Sequence, residues 1–434
     1  MWYHNREQLQ EAVTKHGSVA AAERAHGLGR GTLQNWAAKH GLHSGHKFSR
    51  QGVAEPAGAT PEPPPPADPV EIVAMRRRTE RLEEEVRSLR SQVKVSAKHA
   101  NLVDDVREIL EPAVARAVVP SYRPPPRISR ATERAGVSLI LHVSDLHWGE
   151  IVDPQTIHGI NAYSPAIAAL RLEYAWDTVR RIADDYRGGV QEIIFALNGD
   201  TIGGAIHPES TEYYAGVAIQ TLDAAGIIAQ LGAEASQVVR KVRFLGTTGN
   251  HPRSTQKVPT GKARVDTSWE TVVHAHAAAL MKPLKNVSYE TAKGYTLDTT
   301  IGPSRWAFSH GDAARGGGGQ LGIPAYGLKK QHDAAREWSV VLAQLQDAAV
   351  GGIVRHTRFG HFHTYFAWQA GAADICLAPS PKGADPYVLD SLGKYSPPQL
   401  LVEVVHPEHD VIGSHLIDLT HVREGTPRWE WNHG

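Results

Sequence analysis

Five short apolar runs after residue 136 of this chain each stop at residue types that can bind metals. Residues 137–143 stop at Asp145 and His147 within LILHVSDLHWGE. Residues 192–197 end in Asn198-Gly199-Asp200, and 242–245 lead to Gly249-Asn250-His251. Residues 306–309 end in His310-Gly311-Asp312, and 357–359 in Gly360-His361-Phe362-His363. Apolar runs of this length read as buried strands. On an extended chain residues i and i+2 point to the same side, so Asp145 and His147 can face one ion. Among 24 histidines a single Asp-x-His means little. Five such endings in succession require a fold that brings strand ends together, as open α/β sheets do with their ligands. The intervening glycines let the backbone turn sharply and approach a ligand closely.

Between these runs, residues 170–186, 215–240, 268–281 and 331–348 read as helices, which makes this an α/β layered domain. Residues 400–405 and 411–419 read as a closing antiparallel pair. The remaining composition narrows the partners. The chain has 434 residues, more than one domain usually needs, and 46 basic residues balance 46 acidic ones. With no global basic field, nucleic-acid binding has to come from a local patch. The single cysteine, Cys376, excludes an internal disulfide and a cysteine-built zinc finger, and its apolar neighbours give it a core position. No apolar stretch approaches the roughly 18 residues of a membrane span, and MWYHNREQLQ is no signal peptide. The expectation is a cytoplasmic protein with no membrane contact, from a GC-rich bacterial or phage genome.

The first third is organised differently. Residues 1–46 contain GSVAAAERAHGLGRGTLQNWAAKHGL, a helix, a short turn and a helix. Ser18 can cap the first of these, and Gly41 closes the second. This resembles the helix-turn-helix of transposase-like and Fis-like DNA-binding domains. Leu28, Leu33, Trp36 and Ala37 would pack inward, which leaves Arg30, Thr32, Gln34, Asn35 and Lys39 outward. Arg, Gln and Asn pair bidentately with base edges. A small helical bundle that binds protein is the alternative reading. Residues 47–69 are a proline-rich linker. In residues 70–118, Ile72, Met75, Thr79, Leu82, Val86, Leu89 and Val93 form a heptad seam. It reads as a coiled coil making a homodimer through residues 70–110, or as a single amphipathic helix lying on the next domain. A second proline-rich linker, residues 119–136, precedes the α/β domain at 137–424, and 425–434 form a tail.

The order D-x-H, G-D, G-N-H, H-G-D, G-H-x-H resembles the calcineurin-like metallophosphoesterase superfamily, over about residues 137–420. The resemblance implies a four-layer α-β-β-α sandwich with two divalent ions. One would be held by Asp145, His147, Asp200 and His363. The other would be held by Asp200, Asn250, His310 and His361, with Asp200 bridging. Mixed nitrogen and oxygen donors suit Mn first, with Fe, Zn or Ni as alternatives, and no thiolate argues for a softer ion. Two such ions activate water and neutralise phosphate oxygens. His251 is then the general acid for the leaving oxygen. The family commonly has an acidic residue after this histidine. Here Pro252 stands there, and Asp312 or another carboxylate is left to orient His251.

Weaker candidates surround this set. Arg253 can grip a phosphate oxygen or make a surface ion pair. His207 can reach substrate or sit in a solvated loop. Trp148 can stack a base or lie on the sheet rim. Residues 315–322, RGGGGQLG, read as a gating loop and lack the P-loop pattern. G-D-T-I-G-G and G-N-H-P depart from the protein Ser/Thr phosphatase patterns. D-L-H-W-G is similar to the opening of the SbcD-like nuclease branch. With the N-terminal head, this gives a DNA nuclease as the expected function. The alternative is a DNA-binding regulator or assembly factor whose phosphoesterase domain acts on small nucleotides or serves structure.

Overall fold

The computed structural model describes residues 136–186, 189–206, 212–315, 323–345 and 352–431, with Lys15, Ala22, Ala25 and His26. Apart from those four positions and Gly136, the helix-turn-helix, both linkers and the coiled-coil seam therefore lie outside the described residues, as do Arg30, Thr32, Gln34, Asn35, Lys39, His207 and residues 316–322. Nearly everything described belongs to the second of two compact units, Val86–Gly434.

That unit is mixed α/β, built on two sheets. The first has the order β13-β12-β1-β3-β5-β6 and the second β10-β11-β9-β8-β7. In the first, β1 (Val137–His142), β3 (Val190–Leu197), β5 (Lys241–Gly246) and β6 (Val287–Thr291) run parallel. The antiparallel pair β12 (Gln399–His406) and β13 (Asp410–Asp418) closes its edge against β1. In the second, β8 (Ser304–Ser309), β9 (Val354–Phe359) and β11 (Ala373–Leu377) are parallel. Antiparallel β7 (Thr296–Ile301) and β10 (Phe366–Ala370) flank them. A two-stranded ribbon joins β2 (Glu150–Ile151) to β4 (Glu212–Tyr213).

Alternation along β1 shows how the layers share it. Leu139 and Leu141 join a core with Leu172 and Trp176 of α1 (Pro165–Asp185), Leu231 of α2 (Val217–Ser236) and Val273 of α4 (Trp269–Met281). Ile140 points the other way, into a core with Trp306 and Phe308 of β8. A five-residue helix, α3 (Lys262–Asp266), precedes α4. Ala335 of α5 (Ala325–Leu345) packs with Ala307 and Val354 of the second sheet. Helix α1 begins five residues before the expected position because Ser164 caps it and Pro165 occupies its first turn, where a missing N–H costs nothing. Strands β7 and β11 and the β2–β4 ribbon were not expected, nor were β6 and β10. The last two sit at sheet edges, half exposed, and so lack a continuous apolar run. No helix among the described residues is long and apolar enough to cross a membrane.

Residues 425–431, read from the sequence as a tail, pack on the first core. Trp429 is buried, and Trp431 meets Trp148 edge to face at 5.4 Å. Trp148 is wholly buried, so it stacks no base; the sheet interior holds it instead.

A charged network is buried where the two sheets face. Arg358 of β9 donates to both carboxylate oxygens of Glu403 on β12 at 2.7 Å, and lies 2.9 Å from Asp374 on β11. His142 of β1 reaches Glu403 at 2.8 Å. Burial alone would raise the Glu403 carboxyl, but the Arg358 guanidinium and the His142 bond hold it well below the ordinary range. A depressed carboxyl contributes stability that is present above its unfolded pKa and is lost as pH falls toward the folded value. We expect Glu403→Ala to cost about 3–5 kcal/mol, because it leaves Arg358 buried without its main partner. Glu403→Gln should flatten the acid limb of the stability profile below about pH 4.5, the ordinary carboxyl range. Denaturant unfolding measured across pH reads both effects.

Candidate metal centre

The parallel strands β1, β3 and β5 of the first sheet, and β8 and β9 of the second, all carry their chemistry just past their C-terminal ends. Asp145, Asp200 and His310 are buried, as is His147. The chain leaves each strand in an uncommon conformation. Asp145, His147, Asp200, His361 and His363 all have positive φ, between 47° and 71°. Backbone pairing nevertheless continues: Asp145 N–H donates to Gly199 O at 3.0 Å, and His147 N–H to Asp200 O at 2.9 Å.

Two ligand groups result. In the first, the Nε2 atoms of His147 and His363 lie 3.1 Å apart, and His363 Nε2 lies 3.4 Å from an Asp145 oxygen. In the second, His310 Nε2 lies 2.9 Å from Asp200 Oδ2 and 3.0 Å from Asn250 Oδ1, with His361 alongside. Within each of the groups Asp145–His147–His363 and Asp200–His310–His361, the ligand atoms lie within 4.8 Å of one another. The structure thus brings together all seven expected ligands, Asp145, His147, Asp200, Asn250, His310, His361 and His363. Their chemistry fits divalent cations: the donors are nitrogen and oxygen, and His363 Nδ1 is buried with no protein partner. Cys376, the lone thiol, is buried within β11.

Neighbouring groups aim these ligands. His147 Nδ1 is held by Glu150 at 2.8 Å, and His310 Nδ1 donates to Asn198 O at 2.8 Å, so each ring turns Nε2 toward the cluster. Asp145 accepts the His361 backbone N–H at 2.9–3.0 Å, which ties the β1 end to the β9 end. Glu270, in the first turn of α4, accepts backbone N–H groups of Thr201 at 2.8 Å and Gly249 at 2.7 Å. One carboxylate therefore fixes two ligand loops. Glu150, Glu270 and the Lys382 that pairs with Glu150 carry no motif, and sequence reasoning missed them.

The protein groups polarise one another. Burial would raise Asp145, but His363 draws its carboxyl down to about 2. Burial likewise opposes ionisation of Asp200, yet His310 holds it well below the usual range. The Asp200 carboxylate in turn overcomes burial at His310 and pushes that ring up to about 10. His361, lowered by burial and by His310, lies at about 4.

His251 follows Asn250, and its backbone N–H donates to Asp200 Oδ1 at 2.8 Å. Burial pushes its ring down to about 3. Its Nδ1 faces Gly203 O at 3.2 Å and Glu150 at 3.6 Å. The carboxylate beside His251 is thus Glu150. Asp312 is committed elsewhere, to a bidentate pair with Arg264 at 2.8 Å. Arg253 also has a different task from phosphate binding. Its guanidinium donates to Asn250 O at 2.6 Å and Thr255 O at 3.1 Å, folding its own loop. A cavity of about 350 Å³ opens over His147, Asp200, Asn250, His251, His361 and His363.

No family model and no curated protein matches the chain. Solved structures do. Vacuolar Protein Sorting 29 from Cryptosporidium parvum is 10% identical over 65% of this chain and 99% of its own, with a TM-score of 0.28. A conserved uncharacterised protein from Streptococcus pneumoniae, described as a predicted phosphoesterase, is 13% identical over 65% and 98%, with a TM-score of 0.23. A hypothetical protein from Pyrococcus horikoshii is 9% identical over 65% and 87%, with a TM-score of 0.32. Likenesses at this level carry no weight for function, and the site is read from its own geometry.

Because His310 holds a proton to about pH 10, a cation has to displace it. Metal affinity should therefore fall as pH falls from 9 to 6, with protons released on binding. Calorimetric titration in buffers of different ionisation enthalpy counts them. Gly249 is a second probe, since a Cβ there would stand 2.0 Å from Asp200 Oδ1. We expect Gly249→Ala to lose about 10–100-fold in metal affinity, as supporting-residue changes do. Elemental analysis after dialysis against dilute metal reads that loss.

Proposed function

We propose that this chain is a metal-dependent phosphodiester hydrolase of the calcineurin-like superfamily. On this reading Asp145, His147, Asp200 and His363 would hold one divalent ion and Asp200, Asn250, His310 and His361 a second, Mn first, and the helices and sheets stack as a four-layer sandwich. The observation that carries the reading is the pair of N/O ligand groups side by side at strand ends, with His251 lining the same cavity. When bound, two divalent ions supply charge neutralisation at the phosphoryl oxygens and activation of water.

The protein's own part is positioning. Asp145 and Asp200 bring fixed negative charge, while Asn250, His147, His310, His361 and His363 bring neutral donors. Together they draw cations and leave net positive charge for a phosphodiester. His251 is placed to hand a proton to the leaving oxygen. Its buried ring favours the neutral form, and an arriving phosphoryl anion raises its proton affinity. Glu150 anchors His147 and stands beside His251, in the place of the acidic neighbour that Pro252 lacks.

The substrate we propose is DNA, cleaved in the manner of the SbcD-like branch. The D-L-H-W-G motif, the helix-turn-helix pattern in residues 1–46 and the heptad pattern in residues 70–110 support this. A second reading, a small-nucleotide phosphodiesterase or a DNA-binding regulator with such an activity, gains from the modest cavity volume. Roughly 300–1,000 Å³ is the range of small-molecule sites. Purified protein with Mn should hydrolyse a chromogenic phosphodiester, and Asp200→Ala should abolish this. His251→Gln should lower kcat by roughly 10²–10⁴ on esters with poor leaving groups. If single- and double-stranded DNA stay intact while the chromogenic ester is cleaved, the nuclease reading fails and the second reading stands.

A further inference from the structure

The cavity has two unlike halves. Its floor is the metal centre. Its wall comes from one segment between β11 and β12, which presents Tyr387, Val388, Leu392, Lys394 and Ser396, with Phe362 in the angle between floor and wall. At its base this wall is fixed. Arg171 donates to Pro381 O at 2.7 Å and Lys382 O at 3.0 Å, and Asn161 donates to Lys382 O at 2.9 Å and Ala384 O at 2.8 Å. Lys382 bridges Glu150 and Asp385, and Asp385 accepts the Val388 N–H at 2.8 Å. Above that base, residues Tyr387–Ser391 form a π-helical turn, a rare form frequent at functional sites. Tyr387 is 52% exposed and Leu392 is 49% exposed. A wall built this firmly that still shows large apolar side chains to water is shaped for a ligand.

The lining says which kind. Aromatic and branched faces favour a flat apolar surface. A cation and a hydroxyl beside them favour a ring with polar edges. An alkyl chain would not use the polar groups, and a sugar alone would not need the apolar ones. We propose that residues 385–396 form a nucleoside subsite. The base lies against Tyr387, Val388 and Leu392, and its polar edge faces Lys394 and Ser396. The phosphoryl group then reaches the floor. This rests on the phosphodiesterase reading above and gives it a substrate class: a phosphodiester carrying one nucleoside, from a strand terminus or a free nucleotide.

Two esters that release the same nitrophenolate test it: thymidine 5′-(p-nitrophenyl) phosphate and ethyl p-nitrophenyl phosphate. The Mn-loaded protein should prefer the nucleoside ester by about tenfold or more in kcat/KM, mostly through KM, as base–aromatic contact implies. Tyr387→Ala with Leu392→Ala should shrink that preference to about threefold or less. Val341→Ala, at an exposed position on α5, should keep it. By calorimetry, thymidine 5′-monophosphate should bind more tightly than inorganic phosphate to the wild-type protein, and no more tightly to the double variant. No preference in the wild type, or a preference that survives the double substitution, overturns the subsite and leaves the hydrolase reading intact. Failure to cleave either ester with Mn, Fe, Zn or Ni overturns both. A single-stranded oligonucleotide, a dinucleotide and a 3′,5′-cyclic nucleotide then separate the sources. Wall-dependent cleavage of any of them supports the subsite, and cleavage of all three unaffected by the double substitution overturns it.

Discussion

The structure depends on holding five functional side chains in a backbone conformation they resist. Asp145, His147, Asp200, His361 and His363 all take positive φ. For side chains other than glycine this costs roughly 1 kcal/mol or more each, and such residues persist only where their surroundings over-determine them. Here the surroundings are visible. The β1–β3 pairing runs on past the strands through Gly199 O and Asp200 O, and Glu270 gathers N–H groups from two ligand loops. Asp145 in turn accepts the His361 N–H. An extended strand end would also put residues two apart on one side, as the sequence led one to expect, but Asp145, His147, His361 and His363 are left-handed instead. Tight left-handed loops past β1, β3 and β9, rather than continued strands, bring these side chains together.

The ligands come from both sheets, so the spacing between sheets becomes a chemical variable. Asp145, His147, Asp200 and Asn250 follow strands of the first sheet, and His310, His361 and His363 follow strands of the second. Apolar packing of Ile140 on Trp306 and Phe308 sets an approximate distance. Such packing is non-directional and tolerates sliding. The Arg358–Glu403–His142 network is directional, and it joins β9, which leads to His361 and His363, to β12 beside β1. Arg358 also lies over the Trp306 ring at 4.6 Å. A buried ion pair adds little net stability over an apolar replacement. Its value here is registry: it fixes how the strands of one sheet sit over those of the other, and through them how the two ligand groups meet.

What the sequence made legible follows from how each feature is encoded. The candidate ligands were readable because each lies a few residues past an apolar run, and the runs mark strands. The parallel strands β1, β3, β5, β8 and β9 were readable because they are largely buried, whereas β11, also interior and parallel, was not. Edge strands β6 and β10 were not, since one exposed face removes the apolar run. Glu150 and Glu270 escaped because their role depends on where a ribbon and a helix N-terminus land in space, which no local spacing records. The same holds for Asp312, which reads as a site carboxylate beside His310 but is claimed by Arg264 from a different segment. Trp148 read equally as a base-stacking residue or as one on the sheet rim, and its full burial, with Trp431 from far along the chain against it, puts it in the core.

The wall of the cavity lies at the far end of this gradient. Its side chains come from one continuous segment, 382–396, yet nothing in KGADPYVLDSLGKYS signals a function. Its position is set by Arg171, a buried cation on α1 that spends its donors on the carbonyls of Pro381 and Lys382. Floor and wall therefore answer to different constraints. The candidate ligands on the floor answer to ion coordination, which accepts few donor types and narrow distances. A wall residue has only to complement whatever is attached to phosphorus, and many side chains do that. Reaction chemistry is accordingly written in motifs, and selectivity is written in the loop that faces them.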